Sequence, residues 1–282
     1  MGRNLMPGET PSSVLRFEDV TVAFDDVTAL SHVSFEAFEG ESRVILGAAG
    51  SGKTVLLKAA LGLVKPESGR VYAFGRDLTA MREEELFAVR SKIGMLFQEG
   101  ALFDSLNIEE NVAYPLLNQR PIQCPKEQVH ARVQEALDFV ELGETLAKFP
   151  AELSGGMRRR VAIARAVVTG PPLILYDSPT AGLDPITAHT IMALLIKERD
   201  AARATTLMVT NRYRDGSLMA NFRYNSEQGR LELASNGARQ DLRTTFMALR
   251  EGRLVFEGGQ DRLEALNDPY ISRFVKQRKQ RE

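Results

Sequence analysis

The chain has 282 residues, 44% of them hydrophobic, and its 36 Lys and Arg nearly balance 37 Asp and Glu for a formal net charge of −1. That balance excludes the bulk field that gathers nucleic acid or an anionic membrane surface, so any such contact is local. The single cysteine, Cys124, excludes an internal disulfide, and no apolar run approaches the roughly 20 residues of a membrane helix, so the sequence reads as soluble and cytoplasmic.

Residues 1–13, rich in Gly, Pro and Ser, read as a mobile tail. Leu15 to Phe24 and Val33 to Phe38 roughly alternate apolar and polar, which predicts an opening antiparallel sheet. Ser42 to Leu46 is a short apolar run ending in a glycine loop, and Thr54 to Val64 has helical spacing. Ala101 to Gln123 shows mixed periodicity, whereas Lys126 to Leu142 repeats Val129, Val133, Leu137 and Val140 on one helix face. Leu173 to Tyr176 and Thr206 to Val209 read as parallel strands buried on both sides, linked by helices over Arg158 to Val168 and Asp184 to Ala202. Between Asn211 and Arg250 the pattern weakens, and Phe222 to Tyr224 with Arg230 to Leu233 predicts an inserted hairpin, placed at about 212–245. A strand at Arg253 to Phe256, a short helix and a basic tail (together 261–282 after the strand and turn) close the chain.

Gly47-Ala48-Ala49-Gly50-Ser51-Gly52-Lys53-Thr54 fits the phosphate-loop pattern and sits between a strand and a helix, as that pattern requires. Its glycines let backbone amides converge on phosphate oxygens, the following helix adds its positive end, Lys53 supplies a mobile cation, and Thr54 a hydroxyl for Mg²⁺. Asp177 ends a predicted parallel strand beside that loop, the position from which a carboxylate holds Mg²⁺. Leu153-Ser154-Gly155-Gly156 precedes a helix starting Arg158-Arg159-Arg160 and makes a second anion seat by the same physics, or else an ordinary cap before a solvated basic face.

With these motifs in place the sequence resembles the ABC ATPase family over about residues 14–260. The resemblance implies an α/β P-loop NTPase fold with a RecA-like core, an N-terminal antiparallel β-subdomain and an α-helical subdomain at about 99–165. It places Phe24 as the aromatic that stacks on the base, Gln98 as the Q-loop residue and a further metal ligand, Leu153 to Gly156 as the signature, and Asp184 in the D-loop. In that family two domains close head to tail on ATP and Mg²⁺, which implies a homodimer or a heterodimer with another such ATPase. A narrower likeness over Met95 to Leu116, with Met157 in the signature, resembles the ATPases of Mce and Mla-type lipid transport. It implies a membrane permease gripped through about 99–118, at the inner face of the plasma membrane.

The sequence also departs from the family. Ser178 stands where the general-base Glu follows Asp177, and Asn211 where a His contacts the γ-phosphate. An alcohol is not a base near neutral pH, so the sequence predicts ATP binding with weak or absent turnover at this chain's own site. His32, His130 and His189 lie away from the predicted central strands. A non-hydrolysing ATP-gated clamp and a non-transport ATPase acting on nucleic acid remain as alternatives; neither a domain repeat nor sustained heptads favour the second, and no nucleic acid partner is expected.

Overall fold

The computed structural model describes residues 12–276 apart from 120, 123 and 235–242. The tail reading of residues 1–13 and the basic tail beyond Lys276 therefore fall almost wholly outside the described residues. Strands β1 (Ser13–Phe24) and β2 (Val27–Phe38) open the chain, then β3 (Ser42–Leu46) and α1 (Lys53–Ala60). β4 (Ser68–Ala73), β5 (Arg76–Asp77), α2 (Glu83–Arg90) and β6 (Ile93–Leu96) follow. Three helices come next, α3 (Ile108–Asn118), α4 (Lys126–Phe139) and α5 (Gly155–Val167). β7 (Leu173–Asp177), α6 (Pro185–Ala202), β8 (Thr205–Thr210) and α7 (Tyr213–Asn221) return to the centre. The hairpin β9 (Phe222–Asn225) and β10 (Arg230–Leu233), then β11 (Thr244–Arg250), β12 (Arg253–Gly258), α8 (Gln260–Ala265) and α9 (Pro269–Lys276) complete the order.

One sheet of order β2-β1-β4-β5 is antiparallel, and the central one runs β12-β11-β3-β8-β7-β6 with only β12 antiparallel. The unbroken apolar run of β7 divides by pleat: Leu173 and Leu175 face the antiparallel sheet and α1, while Ile174 and Tyr176 face the helices α3 to α6. A third cluster joins Val44, Leu46 and Phe246 to Tyr213, Leu263 and Ile271 of the C-terminal helices.

Among the described residues of the stretch 212–245, residues 222–233 form the hairpin. α7 packs on the central sheet, and Thr244 and Thr245 already pair with Ser42 and Arg43 of β3. The hairpin is fastened to α6, where the Tyr224 amide donates to Asp200 Oδ2 at 2.9 Å and Arg199 Nη2 donates to the Phe222 carbonyl at 2.8 Å.

On the inner face of α6, burial pushes the Glu198 carboxyl up to about 7, against the weaker pull of Lys197. It lies near the Tyr176 hydroxyl, itself buried with no hydrogen-bond partner among the described residues. The folded chain keeps this proton where the unfolded chain has lost it, so stability falls as pH rises from the ordinary carboxylate range to about 7. Glu198→Gln is expected to remove that slope. Chemical denaturation should show the variant more stable by about 1–3 kcal/mol near pH 8, with the difference closing below about pH 5.

Candidate functional site

Strand register gathers the candidate residues. Leu46 lies opposite Thr210, Asp177 opposite Val209, and Leu96 opposite Tyr176. The parallel strands β3, β8, β7 and β6 thus release Gly47, Asn211, Ser178 and Gln98 at one carboxyl edge, where ligands of such sheets bind.

In the phosphate loop Lys53 is buried, and its ammonium donates to the carbonyls of Gly47 at 2.8 Å and Ala48 at 2.7 Å. Burial lowers its pKa, opposed by the charge of Asp177. The Ser51 hydroxyl is buried with no partner among the described residues. Gly52 has φ of 100°, and a Cβ there would strike the Ala29 carbonyl of β2. That approach sets the β1–β2 hairpin, with Phe24 at its turn and 48% exposed, against the loop. From the C-terminal end, the Tyr270 hydroxyl accepts from the Ala48 amide at 2.9 Å and donates to the Leu249 carbonyl at 2.7 Å.

Asp177 is buried, and each carboxylate oxygen accepts one hydroxyl: Thr54 on Oδ2 at 2.9 Å and Ser178 on Oδ1 at 3.1 Å. Ser178 holds a left-handed backbone, φ 47°, fixed by its amide donating to Val209 at 2.8 Å. Behind it, buried Asp215 accepts from Thr180 Oγ1 at 2.6 Å and Thr210 Oγ1 at 3.0 Å, and burial raises its pKa. Asn211 and Gln98 are exposed. An orphaned hydroxyl, a desolvated ammonium and a hydroxyl–carboxylate pair of hard oxygens fit magnesium-bound polyphosphate. Ser51, Lys53 and the loop amides would hold phosphate oxygens, and Thr54 and Asp177 the metal. Among the described residues the Ser178 hydroxyl is turned onto Asp177, and Asp215 behind it is held by two threonines.

The second seat is built at the start of α5. Ser154 caps the helix, its Oγ accepting from the Met157 amide at 3.3 Å. Asp184 caps α6, accepting from the amides of Ile186 and Thr187 at 3.0 Å each. Ser154, Gly155, Gly156, Leu183, Asp184 and Ile186 line one concavity that includes no residue of the phosphate loop, and Ile186 stands 81% exposed beside it. Leu153 is buried behind it. The two glycines differ in kind: a Cβ on Gly155 meets nothing within 4 Å, whereas one on Gly156 falls 2.7 Å from Thr187 Cγ2. In α5, Arg159 is buried, not part of a solvated face.

Sequence reasoning missed Tyr270, Asp215 and Arg159. Asp215 lacks any motif; Tyr270 has none either, and its contact spans 222 positions. The histidines stay out of the site, His32 pairing with Asp19 and His130 with Glu109 on the surface, with His189 exposed on α6. Because α5 and α6 meet at Gly156, Gly156→Ala is expected to be less stable than Gly155→Ala by about 1–3 kcal/mol, both gaining the same helix propensity. Denaturant unfolding of the two variants measures this.

A family model described as ABC transporter matches residues 30–181. The chain is 37% identical over 205 residues to the probable ribonucleotide transport ATP-binding protein mkl of Mycobacterium leprae, covering 72% of this chain and 58% of that protein. It is 41% identical over 188 residues to the methionine import ATP-binding protein MetN of Carboxydothermus hydrogenoformans, covering 67% and 55%. The chain thus spans little more than half the length of these curated relatives. Among solved structures it is similar to the ATP-binding cassette MJ0796 in a dimeric post-hydrolysis state bound to ADP and Pi. That match has a TM-score of 0.70 and 30% identity, and covers 86% of this chain and 97% of that one. Among the described residues no helix is long and apolar enough to cross a membrane. By this family model and these likenesses, the chain belongs to the ABC transporter family and has the ABC ATPase fold.

Proposed function

We propose that this chain is the ATP-binding subunit of a membrane transporter, closing on Mg-ATP with a second nucleotide-binding chain and driving a separate permease. The observation that carries this reading is that one chain holds two anion seats sharing no lining residue, the Gly47 to Thr54 loop and the Ser154 concavity. Each is half a site, and a facing copy or homologue completes both. The dimeric cassette with ADP and Pi to which the chain is similar supports this closure. The bound nucleotide supplies the phosphate charge that Lys53 and the loop amides neutralise, and Mg²⁺ the charge that Thr54 and Asp177 share.

The permease docks through about 99–118, where Phe103 and Tyr114 pack on one another and stand exposed with Leu117, which holds the subunit at the cytoplasmic side of the membrane. The likeness of 95–116 to Mce and Mla-type systems favours a lipid substrate. The names of the relatives favour a second reading, import of methionine or transport of ribonucleotides. Detergent pull-down of the tagged chain, with its permease identified, separates the two.

Calorimetry with Mg-ATP is expected to show uptake by the wild type and none by Lys53→Ala, while Ser154→Arg keeps uptake but loses the ATP-dependent dimer in sedimentation. No uptake by the wild type would remove the reading. Hydrolysis at this chain's own site is slow, because Ser178 and Asn211 lack the base and the cation. Ser178→Glu combined with Asn211→His is expected to raise phosphate release by about 10²-fold or more. Wild-type release already near about 10 per second would show that another group supplies the base.

A further inference from the structure

Helix α5 starts at the Ser154 seat, and its Arg159 lies little more than one turn further on, only 7% exposed. The guanidinium donates through Nη1 to the Phe97 carbonyl at 3.2 Å, immediately before Gln98. Through Nη2 it donates to the Ala181 carbonyl at 3.5 Å, in the loop from Ser178 to Asp184. These two neutral carbonyls are its hydrogen-bond partners among the described residues, and the carboxylates of Glu99 and Asp177 act on it only at longer range. Burial lowers its pKa, yet a guanidinium keeps its proton in any protein.

A cation buried against neutral oxygens is costly, and a Met or Leu would fill the same space without that cost. What an apolar side chain would not do is join two loops. The guanidinium is one rigid plane with its donors in a fixed fork, so carbonyls held on two of its nitrogens move together or break away. Both loops are fastened a second time. Arg165 of α5 donates to the Gly100 carbonyl at 2.8 Å, and Arg212, beside Asn211, donates to the Thr180 carbonyl at 2.8 Å.

We propose that Arg159 is a positioning residue coupling the chain's own nucleotide edge to the Ser154 seat it offers a partner. Displacement of Phe97–Gln98 or of the Ser178–Asp184 loop, when the phosphate loop fills, passes through the guanidinium to α5 and reorients its capped first turn. The inference rests on the proposed function and adds to it the side chain by which one half-site informs the other.

Arg159→Met keeps the volume and the apolar stem but no donor, and Arg159→Lys keeps the charge on a single flexible point. Monomeric Arg159→Met is expected to bind Mg-ATP within about two-fold of the wild type, while its ATP-dependent dimer weakens about ten-fold or more. Arg159→Lys should recover only part of that loss. Dimerisation of Arg159→Met equal to the wild type overturns the inference. So does an equal fall in nucleotide affinity and dimerisation, which marks a merely structural role. Absence of Mg-ATP uptake by the wild type instead removes the function on which it rests. Should Arg159→Met not fold, hydrogen exchange on wild-type monomer decides. Mg-ATP slowing exchange at residues 97–100 and 155–160 together supports the coupling, and slowing at 97–100 alone overturns it.

Discussion

The hydrogen bond from Thr54 to Asp177, 2.9 Å long, joins the first turn of α1 to the end of β7, two strands away across the sheet. It forms only because β3 and β7 both flank β8 in parallel and end level with one another. A slip of one residue of β7 along β8 would turn Asp177 to the opposite face and leave its carboxylate buried against apolar side chains. The position of Lys53, the strained backbone at Ser178 and the setting of Asn211 all follow from the same alignment. Register is therefore the constraint on which the nucleotide edge depends, and the three packed clusters on either side of the sheet hold it.

Within that edge, ligand-holding and bond-breaking groups are separable. The groups that would bind phosphate and metal act on the ground state and the transition state alike. A base at the position of Ser178 would act only on the barrier. Ser178 instead turns its hydroxyl back onto Asp177, satisfying the oxygen that Thr54 leaves open. The left-handed backbone that permits this carries strain of about 1–3 kcal/mol. It persists because the Val209 carbonyl and the Thr180–Asp215–Thr210 bonds fix the residues on both sides.

Much of this was legible beforehand, for identifiable reasons. β7 and β8 are continuous apolar runs, and the fold buries both of their faces, so pattern and packing agree. The hairpin at Phe222 to Leu233 shows itself through alternation around a polar turn closed by Gly229. Helix α7 was hidden because Gly216 and charged residues interrupt its period, and α3 because Pro115 lies inside it. The start of α3 nevertheless carried a signal, Asn107 and Glu110 forming a reciprocal cap whose spacing is readable in sequence. Three consecutive arginines looked like one solvated face, yet Arg158 turns to the Leu153 carbonyl, Arg159 is buried and Arg160 reaches the Val140 carbonyl. Composition cannot distinguish these, since helical rotation separates neighbours by about 100° and tertiary contact assigns each a different task. Tyr270 was beyond reach for a similar reason, because no local rule links a C-terminal helix to a phosphate loop.

The division of the two seats bears on what a weak base at Ser178 means. In the proposed closed dimer, the phosphate loop of one chain is completed by the Ser154 seat of the other, so the quality of the seat and the quality of the base belong to different sites. A chain of this composition then gives its partner a complete cap while holding its own nucleotide for longer. Coupling between sites is reciprocal in binding free energy, so where the partner is a homologue with a complete base, nucleotide retained at the slow site would favour closure and tighten the other site by the same factor. Loss of the base at one position is in that case a gain in dwell time for the pair. The intact Asp177, Thr54 and Lys53 arrangement is what such a role requires, because a relic that no longer closed on nucleotide would have no physical need for a desolvated ammonium beside an orphaned hydroxyl.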